Sequence, residues 1–184
     1  MKKLFVALAA LAALCSCGGN GDKAVPRRTA YPRVALYDTV MTTATAGGVL
    51  FEINAEADTS RTSPNWLDIA YPAYGVTVNM AVNRFDGEEG LRRALANRHQ
   101  RMSLAFGDIA ARSETFTNHA GFECLIAGSP DAGTAPIHIL AWRPDGTVVS
   151  GAAVFAGSTK PVDSIAPIYS AVYSDLSRLL LSLK

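Results

Sequence analysis

Two stretches of the chain repeat their apolar residues at helical spacing. Ile165, Ile168, Val172, Leu176, Leu179 and Leu183 recur at intervals of three and four, the pattern of a helix with one buried stripe. Ser164 suits the N-cap, which puts Pro167 at the third helical position, where its missing N–H costs little. Ser170, Ser174, Ser177 and Arg178 make the opposite, polar side. Burying six such apolar side chains, at roughly 1.5–3 kcal/mol each, makes this helix part of the core. A second helix follows Asp86, which suits its N-cap, with Glu88 and Glu89 at the positive end of its dipole and Gly107 as its stop. Its apolar face holds Leu91, Leu95, Met102 and Phe106; its other face holds Arg92, Arg93, Asn97, Gln100 and Arg101.

Outside these helices the period is two. Val76, Val78, Met80 and Val82 alternate with Thr77, Asn79 and Ala81, which predicts a strand with one buried face. Trp66–Tyr71 is its partner, with Pro72–Gly75 as the turn. Val49–Ile53 and Phe122–Ala127 read as further strands, and Asp58–Asn65 as a polar loop. Ile137–Trp142 and Thr147–Phe155 flank Arg143-Pro144-Asp145-Gly146, a hairpin turn signal. The first of these two strands is apolar on both sides, so it is expected inside a sheet covered on two faces. Strands, helix, strands and long helix, without regular βαβ alternation, predict an α+β fold with a mainly antiparallel sheet.

The N-terminus follows different rules. Lys2 and Lys3 precede an unbroken apolar run of 11 residues, Leu4–Leu14. A bilayer span needs about 20 apolar residues, whereas a secretory leader needs fewer. Leu14-Cys15-Ser16-Cys17 resembles the lipobox of bacterial lipoproteins, with a small residue just before the modified Cys. The expected processing removes residues 1–16 and leaves diacylglycerol on Cys17. Residues 17–46 then form a tether, polar and small at Gly18–Asp22 and Pro/Thr/Ala-rich afterwards. Residues 47–184 form one domain.

Composition narrows the function. The 184 residues include 17 Lys+Arg and 16 Asp+Glu, a formal charge of +1, and 49% are apolar. That apolar share excludes wholesale disorder. Near-neutrality without a basic block excludes a typical nucleic-acid binder. Loss of Lys2 and Lys3 with the leader moves the charge from +1 to −1. Cys15 leaves with the leader and Cys17 carries lipid, so Cys124 has no intramolecular disulfide partner.

Little catalytic chemistry is visible. His99, His119, His138 and Cys124 lack the spacing of a metal site. No G-x-S-x-G elbow is present, and Gly157-Ser158-Thr159-Lys160 reads as a turn rather than a phosphate loop. No enzymatic activity, cofactor or metal is expected. Two surfaces are candidates for partner binding: the helical arginines Arg92, Arg93 and Arg101, and an aromatic patch of Trp66, Tyr71 and Tyr74. Their structural alternatives are a solvated helix face and strand-end packing.

Pro64-Asn65-Trp66-Leu67-Asp68-Ile69-Ala70-Tyr71-Pro72 resembles the Trp-x-x-Ile-x-Tyr-Pro block of the gliding-motility lipoprotein GldD family. Gly151-Ala152-Ala153-Val154-Phe155, then Asp163-Ser164-Ile165-Ala166-Pro167 and a terminal amphipathic helix, resemble that family's end. Tyr31-Pro32-Arg33 is similar to its opening. The resemblance implies a Bacteroidetes envelope lipoprotein that assists gliding machinery and its associated secretion system. Such a domain faces the periplasm from the outer or inner membrane and partners with other envelope proteins. The strand–helix order is also similar to that of PsbP/Mog1-like domains. An alternative function is a periplasmic carrier or sensor of a lipid or other apolar small molecule, using a pocket between sheet and long helix.

Overall fold

The computed structural model describes residues 40–156 and 162–184. In chain order the strands are β1 (Met41–Ala46), β2 (Val49–Asn54), β3 (Asp58–Ser63), β4 (Trp66–Tyr71), β5 (Val76–Arg84), β6 (Arg112–Thr117), β7 (Glu123–Gly128), β8 (Ile137–Trp142) and β9 (Thr147–Phe155). Helix α1 (Gly87–Phe106) lies between β5 and β6, and helix α2 (Val162–Ser182) follows β9. The fold is α+β, as the element order predicts. The leader expected at residues 1–16, the lipid site expected at Cys17, the tether expected as far as residue 39 and the turn expected at Gly157–Lys160 lie outside the described residues.

Seven strands make one sheet in the order β3-β4-β5-β9-β8-β7-β6. Every neighbouring pair is antiparallel. β1 and β2 pair with each other in a separate hairpin. Both faces of the large sheet are covered. On one, α2 supplies Val172, Leu176, Leu179 and Leu183, and the hairpin supplies Phe51 and Ile53. They pack on Ile69, Val78, Met80, Ile126 and Ile139. On the other, α1 sets Met102 and Phe106, with Leu91 and Leu95, against Leu125, Leu140 and Val148. β8 therefore lies inside a sheet with cover on two sides, the arrangement its two apolar faces imply.

Two turns are built as expected. Gly146 adopts a φ of 88° and its N–H donates to the Arg143 carbonyl at 3.1 Å. A side chain there would strike the Phe85 carbonyl, so only glycine fits. Arg143 and Asp145 pair at 2.8 Å across this turn, and the guanidinium holds the Asp145 carboxyl well below the usual carboxylate range. Gly75 closes the turn after β4 in the left-handed region, with a φ of 64°.

Four expectations need correction. The tether was expected to reach residue 46, but Met41–Ala46 is β1, joined to β2 through Gly47 and Gly48, both at positive φ. That is the geometry of a tight two-residue hairpin. The loop expected at Asp58–Asn65 contains β3, an edge strand with all six residues exposed. α2 begins at Val162 rather than after Ser164, so Pro167 lies inside the helix and removes an interior N–H. Burial of Ile165, Val172, Leu176, Leu179 and Leu183 outweighs that loss. Asp86 is the N-cap residue of α1, yet its side chain makes no capping hydrogen bond. The edge strand β6 had no counterpart in the sequence reading.

One buried side chain makes two of the hydrogen bonds that fasten the far end of α2. Asn118, buried in the β6–β7 connection, donates from Nδ2 to the carbonyls of Leu180 at 3.0 Å and Leu183 at 3.1 Å. Its Oδ1 accepts from the backbone N–H groups of Ala120 at 2.9 Å and Phe122 at 3.0 Å. The Leu180 carbonyl in the last turn of α2 and the Leu183 carbonyl just past its end are thus satisfied by the sheet connection. Nearby, Lys184 exchanges backbone hydrogen bonds with Leu50 of β2.

Candidate functional site

The face of the sheet beneath α1 is only partly covered. α1 packs on β7, β8 and the start of β9, which leaves β4 and β5 beside it. Register defines what lies in the gap. One row runs Trp66, Ala81, Ser150 and Leu140; the next runs Asp68, Asn79, Ala152 and His138. The small side chains at Ala81, Ser150 and Ala152 sit between larger neighbours, so the rows form a trough. A groove of about 250 Å³ follows, floored by these residues and walled on the helix side by Arg98, Arg101 and Met102. Trp66, Asn79 and His138 also line it.

The polar groups in and beside the groove differ in their partners. Asp68, beside the groove in the same row as Asn79, is engaged within the sheet: its Oδ1 accepts from Trp66 Nε1 at 2.8 Å and from Asn79 Nδ2 at 2.7 Å. Arg98 is half-buried, and neither it nor Arg101 has a carboxylate partner among the described residues. Burial, and then the charge of Arg101, push the Arg98 guanidinium below its ordinary value. His138 Nε2 is buried without a hydrogen-bond partner among the described residues. Burial pushes this imidazole down too, against an opposing interaction with the Ala135 backbone. Its ring meets Phe106 edge-on at 5.2 Å.

The two candidate surfaces read from the sequence do not assemble as expected. Tyr71 and Tyr74 are buried in the α2-side core, with rings stacked at 5.9 Å. Trp66 is five residues before Tyr71 on the same strand, and an odd separation points the two side chains to opposite faces. No three-residue aromatic patch exists. Arg92 and Arg93 are exposed and both pair with Glu89, at 2.9 and 3.4 Å. Arg101 is nine residues from Arg92, half a turn out of phase at about 100° per residue. Arg93 and Arg101 do share a shallower hollow of about 610 Å³ along α1 with Arg98, Asp86 and Glu89. Arg98 and Arg101 are common to both hollows, and of the two only Arg101 was singled out from the sequence.

The remaining groups are structural. Cys124 is buried, and burial followed by the charge of Glu123 pushes its thiol up to about 11, which leaves almost no nucleophilic thiolate at neutral pH. His99 lies on α1 against the edge of Trp142, and His119 is exposed in the β6–β7 connection. Among the described residues no group of three or more His, Cys, Asp or Glu is placed to hold a metal ion. No protein-family model matches the chain, and no curated protein sequence matches it.

Proposed function

We propose that the protein is a non-enzymatic accessory of a bacterial cell envelope, anchored by lipid on Cys17, whose domain binds other envelope proteins. The observation that carries this reading is the order Lys2-Lys3, the apolar run Leu4–Leu14, and Leu14-Cys15-Ser16-Cys17 ahead of a self-supporting fold. The large sheet has its own cover on both faces, which suits a domain that folds before it meets a partner. No helix among the described residues is long and apolar enough to cross a membrane. The segments similar to the GldD family frame the partner as gliding or secretion machinery.

The alternative, a carrier of a lipid or other apolar molecule, needs space between sheet and long helix. That interface is instead packed by Val172, Leu176, Leu179 and Leu180, and the groove lies under α1 with two arginines in its wall. The accessory reading is tested by mild detergent extraction from native membranes. Secretion or motility components should co-purify with the tagged full chain in fixed proportion. Recovery of the chain alone, in repeated extractions, contradicts it.

A further inference from the structure

The groove under α1 combines features that ordinary surface packing does not require. Arg98 and Arg101 are three residues apart on one helix and line the same concavity, with no acid to neutralise them among the described residues. Holding two guanidinium groups together is unfavourable unless an anion joins them. Asp68, on the same sheet face, is already engaged by Trp66 and Asn79. The floor beneath the arginines is made of small side chains, Ala81, Ser150 and Ala152, and of Gly151 backbone. At the β8 end stands His138, whose Nε2 is buried and lacks a partner. At the β4 end stands the half-buried ring of Trp66.

We infer that this groove is a binding site for a small carboxylate. The carboxylate sits between Arg98 and Arg101, which supply charge-assisted hydrogen bonds. His138 lines the β8 end of the groove with its ring, and its Nε2 is closed off beneath that surface. The body of the ligand lies on the small-residue floor toward Trp66. A sugar acid or an N-acylated amino acid carries such a carboxylate on a small body. The inference is independent of the anchor on Cys17.

The test uses the full chain in detergent micelles and saturation-transfer NMR with paired probes. Glucuronate is compared with glucose, and N-acetylalanine with its amide. At least one acid should bind saturably below about 10 mM, with its neutral counterpart roughly tenfold or more weaker. Whichever acid binds identifies the source as sugar acid or acylated amino acid. The double variant Arg98→Ala/Arg101→Ala should weaken that acid roughly tenfold or more. The double variant Arg112→Ala/Arg178→Ala removes the same charge on other elements, β6 and α2, and should bind as the parent does. His138→Phe keeps an aromatic ring against Phe106 and removes only a nitrogen closed off from the groove, so it should bind as the parent does. The inference is overturned if neither acid binds, if the neutral probes bind equally well, or if the Arg98/Arg101 variant is unaffected.

Discussion

Replacing Asn118 by Ala should destabilise the domain by about 3–5 kcal/mol, among the largest effects of any single substitution here. The side chain is buried and makes four hydrogen bonds, two as donor to Leu180 and Leu183 and two as acceptor from Ala120 and Phe122. Truncation strands the Leu183 carbonyl and two loop N–H groups and leaves the Leu180 carbonyl only a weak contact from Cys124 Sγ at 3.8 Å, and each unsatisfied buried group costs about 1–3 kcal/mol before water reaches it. Asn118→Asp separates the two halves of this network. Its carboxylate still accepts from Ala120 and Phe122 but repels the two carbonyls, so the loss should persist at neutral pH. Urea unfolding followed by circular dichroism reads both variants. A loss below about 1 kcal/mol for Asn118→Ala would mean that α2 is held by its apolar stripe alone.

Removing the lipid site should move the protein from the membrane to the soluble fraction almost completely. Each buried CH2 contributes about 0.8 kcal/mol, so two or three acyl chains on Cys17 make release negligible, whereas no acyl chain leaves nothing comparable. The clean form of the experiment combines Cys17→Ala with a conventional secretory leader in place of residues 1–16, so that an uncut leader does not itself act as an anchor. After ultracentrifugation the variant should remain in the supernatant while the parent chain pellets. Unchanged sedimentation of the variant would place membrane attachment elsewhere in the chain.

The parts of the fold legible in the sequence are those where burial imposes a period. α1 and α2 show their stripes, β5 alternates cleanly, and the β8–β9 hairpin announces its turn with Pro144 and Gly146. The strands that escaped notice lie in the small hairpin or at the sheet edges. β3 reads Asp-Thr-Ser-Arg-Thr-Ser and is exposed at every position, so no apolar face exists to reveal it. β6 offers only Phe116 to the core. β1 is Thr- and Ala-rich, yet Gly47-Gly48 before Val49-Leu50-Phe51 was a hairpin signal that marks it.

The site was less legible because it depends on register. Strand parity alone separates Trp66 from Tyr71, so that correction was within reach of the sequence. Nothing in the sequence, by contrast, places Ala81, Ser150 and Ala152 side by side, because their neighbourhood depends on how β5, β8 and β9 align. His138 looked like an ordinary strand residue until its Nε2 proved buried and unpartnered. Arg98 has no distinguishing pattern in the sequence, and only the floor opposite it marks it.

The most direct measurement is the intact mass of the protein extracted from its own membranes, with a fragment spectrum of its first residues. A polypeptide that begins at Cys17 and carries diacylglycerol, with or without a further acyl chain, is the predicted result. A free Cys17 thiol, or residues 1–16 still attached, would contradict it.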